Sequence, residues 1–532
     1  MNFAGRSRAK ALPVEWKRFW PIPSVGELLA NRKLIAGMAV FLACLLAIVA
    51  GRELARRPVF VLGGILGVAM LLWLAARPKL SLIFVVAYTP FEEFLLKFVP
   101  WQAYALARYL PELLLFFTLA VLIVSKAIRR QSLEKTPIDI PLFSFAVISL
   151  FSVFYNRIPL FVGVLELRIL LRYAVAYYVL TQAGFNKRFL SRIFKLMLAI
   201  VAIQIAIGLL HSLSGNAATS FLAPKNVTIG EIFVRRGFSQ VVSNRTRIFS
   251  TFGRYNLYGN FLAFFLLFVI AAINTREPWI LGIHRKSFTA LLLTGLVALT
   301  LSFSRMSWMG FYAGLIFMLL LVGRRRVIPY LVVPIAATFV LFSLYGPGAR
   351  EVSETAAASI LQRYLGMFSR RYVEASLRSD RLYVLVATTT RILRISPALG
   401  LGPGSVASAA ARVFGGGEKW DALNLPATKV FPLGDVGWAA ILAQYGILGL
   451  CVFLWVLWRI LTSSLECFRR ARDSLEKAVS LGFLGGFVCI MVMNAVSFNF
   501  TYRPSSLYFW VFAGVVARLL KMQKKEEKAG LE

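Results

Sequence analysis

Two pairs of arginines in this chain have residue types and surroundings that suit anion binding. Arg168 and Arg172 lie four residues apart in the apolar stretch "VLELRILLRY" and share one face of a helix. A guanidinium keeps its charge and forks onto two oxygens, so the pair could bind a diphosphate. Charges inside a membrane cost about 2.5–3.5 kcal/mol each, which makes them functional candidates. The alternatives are that the side chains reach the membrane interface or pair with Glu166.

The second pair is Arg247 and Arg305. Arg247 lies in "NRTRIFSTFGRYNLYGNFLAFF", in which Asn256 and Asn260 lie where a helix is expected to begin. Arg305 separates two apolar runs in "LTLSFSRMSWMGFYAGLIF", which puts it at the external membrane boundary. Both could bind an anion there, and the alternative is that Arg305 only marks the turn. Because both are expected at the same membrane depth, we predict that Arg247 and Arg305 converge on the external side.

The elements that must position these residues are membrane helices. Of the 532 residues, 58% are hydrophobic and 16% are charged, whereas soluble proteins have roughly 45–50% apolar and about 25% charged residues. The 44 Phe and 11 Trp residues could not be hidden in one aqueous core. The composition excludes a soluble enzyme and predicts an all-α, polytopic integral membrane protein.

Fourteen apolar runs have the length of a spanning helix, about 17–25 residues. They lie at 34–50, 58–75, 79–95, 109–126, 139–155, 161–182, 189–210, 255–273, 287–304, 306–323, 327–345, 436–459, 477–498 and 504–521. The third run ends in Glu92 and Glu93 and could instead lie in the interface. We therefore expect about 12–14 transmembrane helices.

Loop charge predicts the orientation, because basic residues collect in cytoplasmic loops. The loops assigned to the cytoplasm, such as "KAIRRQSLEK" and "FRRARDSLEK", are basic, and one short external loop, "GRELARRP", counts against the scheme. Both termini are predicted to be cytoplasmic. The predicted regions are a basic segment (1–33), eleven spans with an external loop at 211–254 (34–345), a large external loop (346–435), three spans (436–521) and a tail (522–532).

Both long external segments are basic, contrary to the usual distribution. The larger, 346–435, has eleven Lys and Arg against seven Asp and Glu. This favours an external anionic ligand, and the alternative is solvation or contact with lipid headgroups. The net charge of +36 would suggest nucleic acid for a soluble chain. In a membrane protein cytoplasmic loops explain it, so no nucleic acid partner is expected.

The large external loop contains two predicted amphipathic helices. One lies in "TAAASILQRYLGMFSRR" and the other in "SDRLYVLVATTTRILRI", which carries Arg381 and has Ser379 or Asp380 as its cap. The glycines and prolines of "SPALGLGPGS" then end the second helix. This glycine string lacks the βαβ context of a dinucleotide site.

The remaining polar residues have simpler interpretations. Glu92 and Glu93 suit an interfacial turn, and Glu112 follows Pro111 at what looks like a helix start, where an acid suits the helix dipole. Tyr502 and Arg503 precede the last span on the external side and could complete a pocket. Two His and four Cys residues predict no metal site.

Four stretches, in order, resemble motifs of the O-antigen ligase/polymerase superfamily. "RIFSTFGRYNLYGNFLAF" is similar to "R-x-x-GTF-x-x-PN-x-x-A", and "LTLSFSRMSWMGFYAG" to "LTxSRGAWLG". "SDRLYVLVATTTRILRISPALGLGPGSV" resembles "R-x-x-x-W-x-x-A…P-x-x-G-x-G-x-G", and "DVGWAAILAQYGILGLCVFL" resembles "HNxYLQxLxExGLLGL". The resemblance covers roughly residues 160–520, and the large external loop falls where the family has one.

The resemblance implies an inverting, metal-independent glycosyltransferase without a cofactor, with a fold similar to the GT-C type. Its donor would be a glycan on undecaprenyl diphosphate, and its acceptor a hydroxyl of another glycan. The site would face the periplasm from the bacterial cytoplasmic (inner) membrane. In the family's ligases, arginines matching Arg247 and Arg305 engage the donor diphosphate.

Counting back from Gly446 aligns a histidine of those ligases with Asp435. A carboxylate at this position could orient or deprotonate an acceptor hydroxyl. Alternatively, Asp435 caps the helix that follows, since Asp before a helix is favoured. Without the ligase's histidine, the resemblance favours a polymerase that transfers the growing chain onto a new lipid-linked repeat unit.

The alternatives are a ligase acting on lipid A-core or protein, and a transporter or flippase of lipid-linked sugars. A flippase needs alternating access, whereas the enzyme needs a fixed external site. A polymerase binds two lipid-linked glycans and so needs two anion sites, one at Arg247 and Arg305 and one at Arg168 and Arg172. Its partners would be membrane lipids and the chain-length regulator and flippase of the same pathway.

Overall fold

The computed structural model describes residues 67, 69–225, 227–229, 232–234, 241–242, 245–275, 277, 279–280, 282–323, 381–406, 419, 421–423 and 436–529. The predicted spans at 34–50 and 327–345, most of the span at 58–75, the first amphipathic helix of the large loop and Asp435 lie outside these residues. Contacts divide the chain into two compact units, Met1–Trp73 with Ala120–Leu133 and Leu74–Leu119 with Glu134–Glu532. The second unit contains all the candidate site residues.

The described elements are mostly helices. They are α1 (Pro78–Tyr88), α2 (Glu92–Leu95), α3 (Trp101–Ile128), α4 (Asp139–Tyr155), α5 (Leu160–Leu171), α6 (Ala174–Gln182), α7 (Lys187–Leu222), α8 (Tyr255–Ile273), α9 (Arg285–Leu301), α10 (Arg305–Val322), α11 (Arg381–Ile395), α12 (Gly437–Arg469), α13 (Ser474–Met493) and α14 (Arg503–Ala529). Short 3₁₀ turns flank α2 at Thr89–Phe91 and Leu96–Phe98, and another lies at Asp421–Leu423.

The strands form three antiparallel two-stranded hairpins in the loops. They pair β1 (Val227–Ile229) with β2 (Ile232–Val234), β3 (Val241–Val242) with β4 (Arg245–Thr246), and β5 (Trp279–Ile280) with β6 (Ile283–His284). Seven described helices are long and apolar enough to cross a membrane, and an eighth is added if the broken pair Ala69–Ala75 and Pro78–Phe98 is counted. The chain is therefore a mostly helical, multi-pass membrane protein, as predicted.

Helix α8 is the centre of the packing and begins and ends where the sequence predicts. It is buried from Tyr258 to Ile273 and packs closely with α13 and α10. Small residues allow this approach: a Cβ on Gly482 of α13 would lie 2.7 Å from the Cα of Phe268 in α8. Close backbone contact at glycines is typical of helix packing in membranes, where the burial of apolar surface contributes little to helix association.

Several predicted boundaries were wrong. Helix α7 continues to Leu222, into the predicted loop 211–254, with a break at Gly215 (φ 55°). Helix α14 likewise extends through the predicted tail to Ala529. The predicted span 161–182 is broken, because α5 ends at Leu171 and α6 begins at Ala174.

Four connecting segments meet at one end of the packed helices, which we call the site end. They are 247–255 before α8, 301–305 between α9 and α10, 436–438 at the start of α12, and 493–503 between α13 and α14. At the other end of these helices, Lys187 at the start of α7 pairs with Asp473 and Glu476 at the start of α13. The site end is therefore distinct from the end that carries the predicted cytoplasmic loops.

Candidate functional site

The segments that carry Arg247 and Arg305 are in contact at the site end. The amide of Ile248 donates to the carbonyl oxygen of Leu301 (3.3 Å), at the end of α9. Four residues after Leu301, Arg305 begins α10, as the sequence predicts. Arg247 is buried, and its guanidinium lies over the ring of Tyr255, 4.2 Å from the centroid. The structure thus brings these two segments together.

Both segments have strained backbones. Ser250 (φ 49°) and Phe303 (φ 51°) adopt the left-handed region, which side chains other than glycine seldom enter. Tertiary contacts hold the first turn: the Ser250 hydroxyl donates to Oε1 of Gln204 (2.6 Å), and the Thr251 hydroxyl donates to the carbonyl oxygen of Pro90 (2.7 Å). Strain of this kind is commonly retained at binding sites, where a fixed geometry is useful.

Arg168 and Arg172 contact a common partner, the buried carboxylate of Glu112 on α3. Nη1 of Arg172 lies 3.2 Å from Oε1 of Glu112. Nη2 of Arg503 lies 2.9 Å from the same oxygen, so one carboxylate binds three guanidiniums. Glu166, the alternative partner that the sequence offers for this pair, accepts a hydrogen bond from Gln444.

These residues belong to a larger group, which we call the charge cluster. Its members are Glu92, Glu93, Arg108, Glu112, Arg168, Arg172 and Arg503. Nη1 of Arg503 lies 2.7 Å from Oε1 of Glu92, which is buried. The expected interfacial turn at Glu92 and Glu93 therefore places one carboxylate in the protein interior. Arg503, expected to face an external pocket, is also buried.

A proline inside α3 helps to build the charge cluster. Helix α3 begins at Trp101, so Glu112 is not at a helix start, and Pro111 lies within the helix. Because proline has no N–H and disrupts the preceding turn, carbonyls there are left without helical partners. The hydroxyl of Tyr88 donates to the carbonyl oxygen of Ala107 (3.2 Å), and Arg503 donates to that of Arg108. The carbonyl oxygens of this turn thus accept hydrogen bonds from side chains of other elements.

The charge cluster is not neutral. It contains four guanidiniums and three carboxylates, which leaves one positive charge. The side chain of Arg168 is the most exposed of the four arginines, at 29% against 24% for Arg108 and 8% for both Arg172 and Arg503. Its guanidinium also lies over the ring of Tyr109, 4.9 Å from the centroid. An anion could reach this excess charge most directly at Arg168.

Replacing Glu112 with Gln is expected to destabilise the protein by about 3–5 kcal/mol, the usual cost of removing one partner of a buried ion pair. The change leaves the buried guanidiniums of Arg172 and Arg503 short of a countercharge. Unfolding of the detergent-solubilised protein by denaturant measures the loss. Glu93→Gln is the control, because Glu93 is 24% exposed and should cost much less. Equal stability of both variants would show that Glu112 is not the centre of the cluster.

The predicted cap at Asp435 needs correction. The N-cap of α12 is Val436, without a side-chain cap hydrogen bond, and Asp435 precedes this position. Because Asp435 lies outside the described residues, its contacts are not part of the site geometry. Its predicted role in the acceptor reaction stays a prediction.

The other predicted pocket residues lie at or beside the site end. Arg381 is the first described residue of α11 and donates to the carbonyl oxygen of Val496 (2.9 Å). The predicted caps Ser379 and Asp380 lie outside the described residues. Tyr502 is half-buried immediately before α14, and Asn256 is half-buried in the first turn of α8.

The glycine string after α11 docks into a break in α12. Gly446 (φ 66°) interrupts α12, and the amide of Leu401 donates to the carbonyl oxygen of Ala443 (2.8 Å), which the break has released. In return, the amide of Ile447 donates to the carbonyl oxygen of Pro397 (2.8 Å). A Cβ on Gly400 would lie 2.6 Å from the backbone at Ala443 and Gly446. The third and fourth sequence motifs are therefore parts of one structural unit.

A network of buried hydrogen bonds, formed mainly by asparagine and serine side chains, links the segments of the site end. Asn260 of α8 donates through Nδ2 to Oδ1 of Asn499 (2.8 Å), and its Oδ1 accepts from the hydroxyl of Ser307 (2.8 Å). The hydroxyl of Ser307 also pairs with that of Ser304, the residue before Arg305 (2.6 Å). The main-chain amide of Asn499 donates to Oδ1 of Asn494 (3.1 Å). We call Asn260, Asn494, Asn499, Ser304 and Ser307 the amide network.

Sequence reasoning gave Glu92 and Glu112 a minor role and did not identify Asn494 or Asn499. The signal for Glu112 was present, because a carboxylate within an apolar run needs a partner as much as an arginine does. In the part of the chain that the structure describes, no three His, Cys, Asp or Glu side chains are placed to hold a metal ion.

No known protein family and no curated protein matches this chain.

Proposed function

We propose that this protein is an inverting glycosyltransferase that polymerises oligosaccharide repeat units carried on undecaprenyl diphosphate. The observation that supports this best is the contact between Ile248 and Leu301, which brings the segments of Arg247 and Arg305 to one strained, partly buried site. The second support is the order of the four sequence motifs, of which the last two dock into each other around Gly446.

The proposed reaction needs one nucleophile, one base and fixed positive charge. The hydroxyl oxygen of the acceptor sugar attacks the anomeric carbon of the donor. A new glycosidic C–O bond forms, and the bond from that carbon to the diphosphate oxygen breaks, with its electron pair leaving on the polyprenyl diphosphate. Asp435 takes the hydroxyl proton as general base. Arg247 and Arg305 stabilise the developing negative charge, as donors fixed in advance do in oxyanion sites.

A polymerase also has to hold a second lipid-linked diphosphate. We assign this role to the charge cluster, whose unbalanced positive charge is most exposed at Arg168. Arg172, which is buried against the same carboxylate, adds to the positive potential that an anion would meet at Arg168. Helix α8 is buried along its length by its neighbours, which suits a fixed site better than alternating access.

We further propose that the site end faces the periplasm from the bacterial inner membrane, with both termini in the cytoplasm. The transport step of the same pathway would supply lipid-linked repeat units to this face, and a chain-length regulator could act on the growing product.

The proposal is tested by the release of the leaving group. The purified full-length protein, incubated with undecaprenyl-diphosphate-linked oligosaccharides in detergent or nanodiscs, is expected to liberate free undecaprenyl diphosphate, which chromatography detects. Translocation of intact lipid-linked sugar across vesicles without any release would instead support a flippase.

Activity is expected to continue without divalent metal. Fixed guanidiniums supply the charge stabilisation for which other transferases use Mg²⁺ or Mn²⁺. Turnover measured in EDTA should equal that in buffer alone. If EDTA abolished the product and either metal restored it, the assignment of Arg247 and Arg305 to the diphosphate would be wrong.

A further inference from the structure

The side chain of Asn494 joins two parts of the site end. It is fully buried, and a Cβ on Gly437 would lie 2.4–2.6 Å from its carboxamide atoms. The carboxamide therefore packs directly against the first residue of α12. The main-chain carbonyl of Asn494 also accepts from the amide of Trp438 (3.3 Å). Two contacts thus hold the start of α12 against Asn494.

The amide network extends from this point towards the arginine turn. Oδ1 of Asn494 accepts from the amide of Asn499, and Asn499 accepts in turn from Asn260. Asn260 accepts from Ser307, in the first turn of α10. A continuous path of buried hydrogen bonds therefore connects the start of α12 with the turn that carries Arg305. Such paths fix distances, because each buried member loses stability when its partner moves.

One donor in this path is not used. Nδ2 of Asn494 is buried and has no hydrogen-bond partner in the described structure. Buried polar groups are nearly always paired, so an unpaired amide beside the start of a helix calls for an explanation. The unpaired Nδ2 group is explained if it donates a hydrogen bond to a substrate when the site is occupied.

We infer that Asn494 is a positioning residue of the proposed transfer. Its Oδ1 fixes the loop 494–499, and its Nδ2 donates to an oxygen of the acceptor sugar beside the start of α12. The inference rests on the proposed function, because this oxygen belongs to the acceptor sugar of the proposed transfer. Arg305 and Asn494 then keep the donor diphosphate and the acceptor sugar at a fixed distance from each other.

Asn494→Asp separates the two roles of the side chain. Aspartate keeps an oxygen that accepts from the main-chain amide of Asn499, replaces the Nδ2 donor with an acceptor oxygen and adds a buried negative charge. We expect kcat to fall about 10- to 100-fold, the size of effect that small errors of alignment cause. KM for the lipid-linked oligosaccharide and the binding of free undecaprenyl diphosphate should stay within about twofold, since Arg247 and Arg305 are unaffected.

The matched control is Ser464→Ala, which removes a buried side-chain hydrogen bond to the carbonyl oxygen of Ile460 (2.8 Å), near the opposite end of α12 and outside the amide network. It should lower the melting temperature while leaving kcat of the folded protein near wild type. Asn494→Ala is measured in parallel and should lose at least as much kcat as Asn494→Asp. A kcat of Asn494→Asp within about threefold of wild type would overturn the inference, since the carboxamide then serves only structure.

Failure of both Asn494 variants to fold would also overturn the inference. A wild-type protein that releases no undecaprenyl diphosphate would instead remove the proposed function itself. The two failures are distinguishable, because the first concerns variants of an active enzyme and the second concerns the unaltered chain.

Discussion

Arg305→Lys and Arg247→Lys are each expected to lower the rate of glycan transfer by about 10²–10³-fold, the usual effect of losing one fixed donor to a developing negative charge. Lysine keeps the positive charge but loses the planar fork that matches two phosphate oxygens. Because both side chains are proposed to grip one diphosphate, the double variant should lose less than the product of the two single effects. Initial rates of undecaprenyl diphosphate release measure all three variants.

Arg285→Lys is the matched control. Arg285 begins α9, at the opposite end of that helix from Leu301, and is exposed. The same substitution there should leave the rate unchanged. Independent, fully multiplicative effects at positions 247 and 305 would contradict a shared diphosphate, and wild-type rates in both variants would remove these arginines from the site.

Asp435→Asn is expected to cut turnover by about 10²–10⁴-fold, as the loss of a general base does. The change keeps the size of the side chain and removes its ability to take the acceptor proton. Since Val436 is the N-cap of α12, little change in stability is expected. Asp435→His should not turn the enzyme into a ligase, because a site for lipid A-core would still be missing.

Asp473→Ala provides the comparison for Asp435. Asp473 caps α13 at the other end of the bundle, where its Oδ1 accepts from the amide of Glu476 (2.9 Å). Its loss should cost about 1 kcal/mol of stability, typical of an N-cap, and leave the turnover of the folded protein intact. If Asp435→Asn behaved like this variant, with near-normal chain growth, the carboxylate would have no part in the chemistry.

The features predicted well from the sequence are those set by local properties. Helix α8 lies where its apolar run predicts, and α10 begins at the arginine that separates two such runs. The length of an apolar run and the position of a charge are properties of consecutive residues, so neither needs knowledge of the fold. The helix α11 and its end at the glycine string were predicted on the same basis.

The features that the sequence did not reveal depend on distant partners. Glu92 and Arg503 are 411 positions apart, and no local pattern links them. The proline in α3 reads locally as a helix start, whereas side chains from other elements satisfy the carbonyls that it releases. The break at Gly446 is likewise stable because amides of a separate loop replace the lost helical hydrogen bonds. In each case tertiary contacts override the local preference.

The most direct test of the polymerase assignment is a competition between two acceptors. The purified protein is given undecaprenyl-diphosphate-linked repeat units with a labelled sugar, together with lipid A-core, and the products are resolved by gel electrophoresis and mass spectrometry. We predict a ladder of chains that remain on undecaprenyl diphosphate and increase by one repeat unit at each step. Label found on lipid A-core, without a ladder on the diphosphate carrier, would make the protein a ligase and contradict the assignment.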